Sequence, residues 1–274
     1  MEGRLENGQY WQGWTVEAPV GVVVFVHGVH EHGGRYAPVA ARLGEAGYAC
    51  YAVDHPGHGR SPGNRGNIDG MDTTVAGVAA LVTMAADRHP DVPVFVYGHS
   101  LGGLVALTYL TGERHPRVVG AVISAPALDT SASNAVQRAF APVLSRFLPD
   151  LGVLALDIEA VSRDPEVVAA YRADPLNHTG KIVARTGAEI LTAATAMPAR
   201  LRGLTLPLLL VHGGADRLMP VSATEVVRAH AASPDLTVRV FDGLYHEPHN
   251  EPEKAEVLTE IVAWLDAHLP PAPA

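Results

Sequence analysis

The segment that most restricts the fold is Val94-Phe95-Val96-Tyr97, which runs through Gly98-His99-Ser100-Leu101-Gly102-Gly103 into the apolar helical stretch Leu104–Leu110. A β-branched and aromatic run must become a helix within a few residues. Small residues on both sides of Ser100 are what let the backbone turn that sharply. The turn lifts one serine hydroxyl clear of a strand end, beside the positive end of a helix. The strand before it shows no polar alternation, as expected of a strand buried on both faces of a parallel sheet.

The same rhythm recurs along the chain. Short apolar runs at Gly21–Val26, Tyr48–Val53, Pro93–Tyr97, Val118–Ile123, Leu206–Val211 and Leu236–Phe241 predict strands. Period and caps predict helices over Tyr36–Ala46, Thr73–Arg88, Leu101–Thr111 and Ala255–His268. This alternation predicts an α/β architecture, a mostly parallel central sheet flanked by helices, in one domain spanning 1–274. From 128 to 204 the strand rhythm stops and the text reads as helical throughout, which predicts a helical cap inserted into the sheet domain. There Val136, Phe140, Val143, Leu144 and Phe147 recur at helical spacing with Pro142 as a kink, and Asp164-Pro165-Glu166 opens a helix through Tyr171. The tail Pro270–Ala274 reads as frayed.

Composition narrows the partners. A net charge of −9 speaks against nucleic acid and gives no pull toward anionic membranes, so a neutral substrate fits. Hydrophobic residues at 47% against 18% charged allow a sizeable core. Cys50, the single cysteine, reads as a buried structural thiol and leaves no internal disulfide or cysteine-rich zinc site. No run approaches the length of a transmembrane helix, and Met1–Tyr10 lacks the apolar core of a secretory signal, so cytoplasm is the expectation.

A serine hydroxyl is a weak nucleophile until a base takes its proton and a carboxylate holds that base in the right tautomer. After Leu208–Val211 comes His212-Gly213-Gly214-Ala215-Asp216, a carboxylate just past a strand end. After the last strand comes Gly243-Leu244-Tyr245-His246, an imidazole on the following loop. The order Ser100, Asp216, His246 is that of the α/β-hydrolase fold. Asp129 is the rival acid; His249 and His230 are rival bases. Backbone N–H groups of Leu101, at the helix start, and Val29, on the loop after the first buried strand, are the expected oxyanion donors.

Together, His27-Gly28-Val29-His30-Glu31-His32-Gly33-Gly34-Arg35-Tyr36, Asp54-His55-Pro56-Gly57-His58-Gly59-Arg60-Ser61, the Ser100 turn, Ser162-Arg163-Asp164-Pro165, Tyr171-Arg172-Ala173-Asp174-Pro175-Leu176 and Tyr245-His246-Glu247 resemble the monoacylglycerol lipase family. The resemblance covers about Tyr10 to Leu269. It implies the α/β-hydrolase fold with an inserted cap, and cleavage of a lipid-like ester, monoacylglycerol to glycerol and fatty acid, through an acyl-enzyme on Ser100. A broad carboxylesterase, a lysophospholipase, an aryl (feruloyl-type) esterase or a ligand-binding protein on the same fold are the alternatives. By motif position the resemblance places Glu31, Arg35, His99, Tyr171 and His249 around the polar, glycerol end of the pocket. Glu31 and Arg35 also read as one structural ion pair, and Tyr171 as a cap anchor. Leu101 stands where many members carry methionine, which alters packing at the acyl pocket and not the backbone donor. Leu148, Leu151, Val153, Leu154 and Leu156 read either as a lid lip that touches lipid aggregates or as cap core.

The Asp54-x-x-Gly-x-Gly-x-Ser stretch reads as a structural turn, since Pro56 and the lack of a following helix argue against a dinucleotide loop. The histidines His27, His30, His32, His55 and His58 lack metal-ligand spacing, so no metal and no cofactor is expected.

Overall fold

The computed structural model describes residues 1–130 and 135–270, with the side chains of 135–139 left aside. The reading of residues 271–274 as frayed and the side chain of Val136 lie outside the described residues.

The chain opens with β1 (Glu2–Arg4) and β2 (Tyr10–Trp14), then enters β3 (Gly21–Val26), α1 (Ala37–Glu45), β4 (Tyr48–Val53), α2 (Met71–Arg88), β5 (Val94–His99), α3 (Leu101–Leu110) and β6 (Val118–Ser124). Next come α4 (Ala135–Phe147), β7 (Gly152–Ala155), α5 (Pro165–Ala173), β8 (Lys181–Val183) and α6 (Ala184–Leu201). The sheet resumes with β9 (Leu208–Gly213), followed by α7 (Ser222–His230), β10 (Leu236–Phe241) and α8 (Lys254–Ala267). Among the described residues the main sheet runs β1-β2-β4-β3-β5-β6-β9-β10, parallel except where β2 meets β1 and β4.

Alternation decides which helices cover which face. Val22, Val24 and Val26 of β3 pack with Val78 and Leu81 of α2, Leu104 and Leu107 of α3 and Met197 of α6. Val23 and Phe25 point to the other face, against Val39 and Leu43 of α1 and Val257, Ile261 and Leu265 of α8. All five of these β3 side chains are fully buried, each worth about 1.5–3 kcal/mol. This explains the run's lack of polar alternation. Every residue of α3 is buried, because the helix lies between the sheet and α6 and has no solvent face.

Four features depart from the sequence reading. The hairpin β1–β2 was not legible, because Tyr10-Trp11-Gln12-Gly13-Trp14 is short and its pairing with β4 is set some forty residues away. The strand read at Pro93–Tyr97 extends to His99, since β5 pairs with β6 as far as His99 opposite Ser124. The strand read from Leu206 begins at Leu208, after Pro207. The stretch 128–204 is not helical throughout: β7 and β8 pair antiparallel, joining segments whose partnership no local pattern announces. The last strand, β10, is half exposed, as an edge strand should be. Helix α4 continues through Pro142 to Phe147.

The chain enters the sheet at β3, builds β4 on one side and returns to build β5 on the other. Beyond the carboxyl ends of β3 and β5 their loops diverge, and such a switch point is where α/β sheets place ligands. The loops after β3, β5, β9 and β10 all open there. Among the described residues no helix is long and apolar enough to cross a membrane.

Candidate active site

Ser100 joins β5 to α3 at φ 54° and ψ −120°, a backbone region that residues other than glycine rarely adopt. The strain is held by its neighbours. The Ser100 N–H donates to Ser124 O at 2.9 Å, and Ser100 O accepts from the N–H groups of Gly103, Leu104 and Ala127 at 3.0, 3.2 and 3.0 Å. Two glycines make the approach possible. A Cβ on Gly102 would overlap the carbonyl oxygen of Val26, and one on Gly98 would press on the Gly102 carbonyl and Ala106. Gly102→Ala is therefore expected to lower stability by about 3 kcal/mol or more, read from urea midpoints. Gly112→Ala, whose Cβ meets nothing nearer than 3.6 Å, should stay within about 0.5 kcal/mol.

The three residues placed in order by the sequence meet above the sheet. His246 Nε2 lies 2.9 Å from Ser100 Oγ, and His246 Nδ1 lies 2.7 Å from Asp216 Oδ2. The Asp216 side chain is fully buried, and its Oδ1 accepts from the N–H groups of Leu218 and Met219 at 2.8 and 2.9 Å. Burial raises the Asp216 pKa, yet the His246 charge, bonds from His212 and His246 and the Met219 N–H hold it well below the carboxylate range. For His246, burial lowers the pKa, and the charge and hydrogen bond of Asp216, with Glu247 and Glu31 behind them, carry it above its ordinary 6.5. Asp129 lines the same cavity, but the imidazole is bonded to Asp216. His230 is turned to Val226 O on α7, away from Ser100.

Val29 and Leu101 line the cavity beside Ser100. Leu101 is the first residue of α3, where the helix cannot satisfy its own N–H groups. On the facing loop, Gly28 is fixed from both sides: its N–H donates to Glu31 Oε1 at 2.6 Å and its carbonyl accepts from His27 Nδ1 at 2.7 Å. The Val29 N–H has no acceptor among the described residues.

The polar residues divide into two layers. Glu31, His99 and Tyr171 line the cavity. Arg35 and His249, which the resemblance also placed there, do not; they stand behind it. Arg35 donates to Glu31 Oε2 at 2.6 Å and to both carboxylate oxygens of Glu247 at 2.7 Å, with its guanidinium 4.6 Å from the centre of the Tyr171 ring. His249 stacks on Tyr36 and its Nδ1 lies 3.3 Å from the Tyr97 hydroxyl. Arg35 lies where its guanidinium reaches two buried carboxylates, Glu31 and Glu247, at once, and His249 packs between Tyr36 and the cavity-lining His99.

Charge in this layer is sorted by surroundings. Burial raises the Glu31 pKa against the pull of Arg35, whereas in Glu247 the Arg35 charge and hydrogen bonds outweigh burial and lower it. Burial lowers His249 to about 4 and holds His99 well below its usual range, so both are neutral beside His246. The His27, His55 and His58 group is built the same way. His27 accepts the His55 backbone N–H at 2.9 Å, and His55 Nε2 donates to His27 O at 2.9 Å, which ties the loops after β3 and β4 together. Among the described residues no group of three or more acidic, histidine or cysteine side chains is placed to hold a metal ion. Asp54 accepts the Gly33 and Arg60 N–H groups at 2.8 Å and shapes a turn. Cys50 is free and buried.

Two residues at the site were missed from sequence. Glu247 is the second carboxylate on Arg35, 212 positions away, and its signal was its place directly after His246 in the Tyr245-His246-Glu247 segment of the resemblance. His212 donates from Nε2 to Met219 O at 2.9 Å, with Asp216 Oδ2 3.3 Å off, and so shapes the Asp216 loop. Its spacing, four residues before Asp216, was the available hint.

The cavity encloses about 220 Å³. Glu31, His99, Ser100, Tyr171, His246 and Glu247 give its polar wall, and Leu154, Leu156, Ile158, Ile182, Ile190 and Met219 its apolar one. A family profile described as serine aminopeptidase, S33, matches residues 17–253. The monoacylglycerol lipase of Mycolicibacterium smegmatis is 45% identical over 259 residues, covering 93% of this chain and 92% of that one. The chain belongs to the S33-type serine hydrolases, among the monoacylglycerol lipases. As a member of that family it is a carboxylic ester hydrolase of the α/β-hydrolase fold. The phospholipase YtpA of Bacillus subtilis is 33% identical, covering 93% of this chain and 99% of its own. The crystal structure of the Paleococcus ferrophilus monoacylglycerol lipase superposes with a TM-score of 0.83 at 32% identity, over 95% of this chain and 99% of the other.

Proposed function

We propose that this chain hydrolyses monoacylglycerols to glycerol and free fatty acid, with Ser100 as nucleophile, His246 as general base and Asp216 as the carboxylate that orients it. The observation that carries the reading is the hydrogen-bonded run from Ser100 through His246 to Asp216 at the floor of a cavity with one polar and one apolar wall. Ser100 Oγ attacks the ester carbonyl as its proton passes to His246 Nε2, and the oxyanion is met by the N–H groups of Val29 and Leu101. His246 returns the proton to the departing glycerol oxygen. Water, deprotonated by His246, then releases the fatty acid. The steps ask for no cofactor.

The apolar wall suits the acyl chain, and Glu31, Tyr171 and His99 suit the glycerol end. Arg35 and His249 act there through the residues in front of them. The aminopeptidase activity in the family description fits less well. The carboxylates that would hold a substrate ammonium, Glu31 and Glu247, are both committed to Arg35. Similarity to a phospholipase keeps lysophospholipids as a second reading.

Residues 128–204 act as the cap. Phe140 and Phe147 of α4 are 64% and 71% exposed, and Leu148, Leu151, Val153 and Leu154 are exposed as well. This supports transient contact with lipid aggregates, driven by apolar burial and not by charge in a protein of net charge −9. A cytoplasmic setting agrees with one free cysteine.

A panel of monoacylglycerols, di- and triacylglycerols, lysophospholipids and feruloyl esters tests the reading. The expected result is a kcat/KM for a monoacylglycerol at least about tenfold above every other class, which asks for only about 1.4 kcal/mol of discrimination. A higher value for a lysophospholipid or an aryl ester would overturn it.

A further inference from the structure

The Asp216 side chain has no exposed surface, so its lone pairs must find donors inside the protein. A carboxylate offers about four acceptor places, two on each oxygen. Oδ1 takes the N–H groups of Leu218 and Met219, and Oδ2 takes His246 Nδ1 at 2.7 Å. The fourth place is filled by His212, near the end of β9, whose Nε2 lies 3.3 Å from the same Oδ2. Its side chain, too, is fully buried. His212 does not line the cavity, so substrate contact is not its role.

The His212 ring is fixed from both ends. Nε2 faces two oxygens that carry no proton, Asp216 Oδ2 and Met219 O at 2.9 Å, so the ring N–H sits on Nε2 and is shared between them. At the other end the Thr224 hydroxyl of α7 donates to Nδ1 at 2.7 Å. Met219 closes the circuit, since its N–H donates to Asp216 Oδ1 while its carbonyl accepts from His212. A carboxylate oxygen that accepts two N–H groups has its charge satisfied by both and holds each less firmly than it would hold one alone. Sharing Oδ2 therefore moderates the grip of Asp216 on His246, which must carry a proton and then give it up within one turnover.

We propose that His212, oriented by Thr224, is a positioning residue that shares Asp216 Oδ2 with His246 and so sets how strongly the carboxylate holds the imidazole. The inference rests on the roles proposed above for Ser100, His246 and Asp216. A bond from His212 to Met219 alone would have the opposite consequence, because cutting it would let the Asp216 loop drift from His246. Besides Asp216, the titratable groups facing His246 are Glu31 on the loop after β3, His99 at the end of β5, and Glu247 and His249 after β10, with Asp129 and Asp157 on the cavity wall. All of these stay in place when His212 is replaced, so the sign of the change reports on Asp216.

The test follows kcat/KM against pH on a short p-nitrophenyl ester, a substrate whose use leaves the monoacylglycerol preference aside, in the wild type, His212→Met, His212→Gln and Asp216→Asn. Methionine keeps the length of the side chain and removes the donor; glutamine restores an N–H of similar reach. In His212→Met the acid limb is expected to move up by about half to one pH unit, the range for one lost hydrogen bond, so that activity below the limb falls about threefold to tenfold. His212→Gln should lie between His212→Met and the wild type. Thr224→Val, one step further from Asp216, should shift the limb in the same direction by less, and it keeps the test decisive should His212→Met fail to fold. A limb that stays in place or moves down in His212→Met, or in Thr224→Val where only that variant folds, would overturn the role of His212. If Asp216→Asn itself leaves the limb unmoved, the proposed role of Asp216 falls, and this inference with it.

Discussion

Replacing Ser100 with alanine is expected to lower kcat/KM on a monoacylglycerol by about 10⁴- to 10⁶-fold while leaving a folded protein. Loss of the nucleophile removes the acyl-enzyme route entirely, and what remains is the modest help of the Val29 and Leu101 donors to attack by water. Ser100→Gly should be equally inactive but more stable than Ser100→Ala, by about 1 kcal/mol, because glycine occupies φ 54° without strain. Turnover assays paired with urea denaturation read both effects. Retention of hydrolysis within tenfold of wild type in either variant would sink the assignment of Ser100. Stability equal in the two would show that the turn's strain is carried elsewhere.

The second large effect belongs to Asp216. Asp216→Asn is expected to cost about 10⁴-fold in kcat, because an amide can hold the imidazole in the wrong tautomer and no longer stabilises the imidazolium. The pH profile adds a sign. Only neutral His246 can take the serine proton, so kcat/KM of the wild type should fall tenfold per unit as pH drops through the His246 pKa, which lies above 6.5. Burial lowers that pKa, and the charge of Asp216 is the main influence opposing it, so in Asp216→Asn the acid limb should move to lower pH. The same loss and the same shift from Asp129→Asn, with Asp216→Asn near wild type, would instead make Asp129 the acid.

Much of this site was legible because its constraints are local. The sharp turn at Ser100 needs small neighbours within two residues, and those stand in the sequence at Gly98 and Gly102. The positions of Asp216 and His246 follow from chain order, since Asp216 lies just past β9, announced by burial on both faces, and His246 follows β10, the half-exposed edge strand. What local text could not carry was pairing at a distance. The strand β7 finds β8, β2 finds β4, and Arg35 finds Glu247 only once the sheet brings remote segments together. Arg35 and His249 read as cavity residues from their motifs, and only packing shows that Arg35 lies against Glu31 and Tyr171 and His249 against His99.

By itself, then, the sequence determined the fold class, the exposed serine and the order of its partners, because turn sterics and two-sided burial are written residue by residue. The tertiary structure alone decided which polar groups line the cavity and where Arg35 finds its second carboxylate. Those outcomes depend on desolvation and on contacts between loops far apart in the chain, and neither is a property of any one stretch of it.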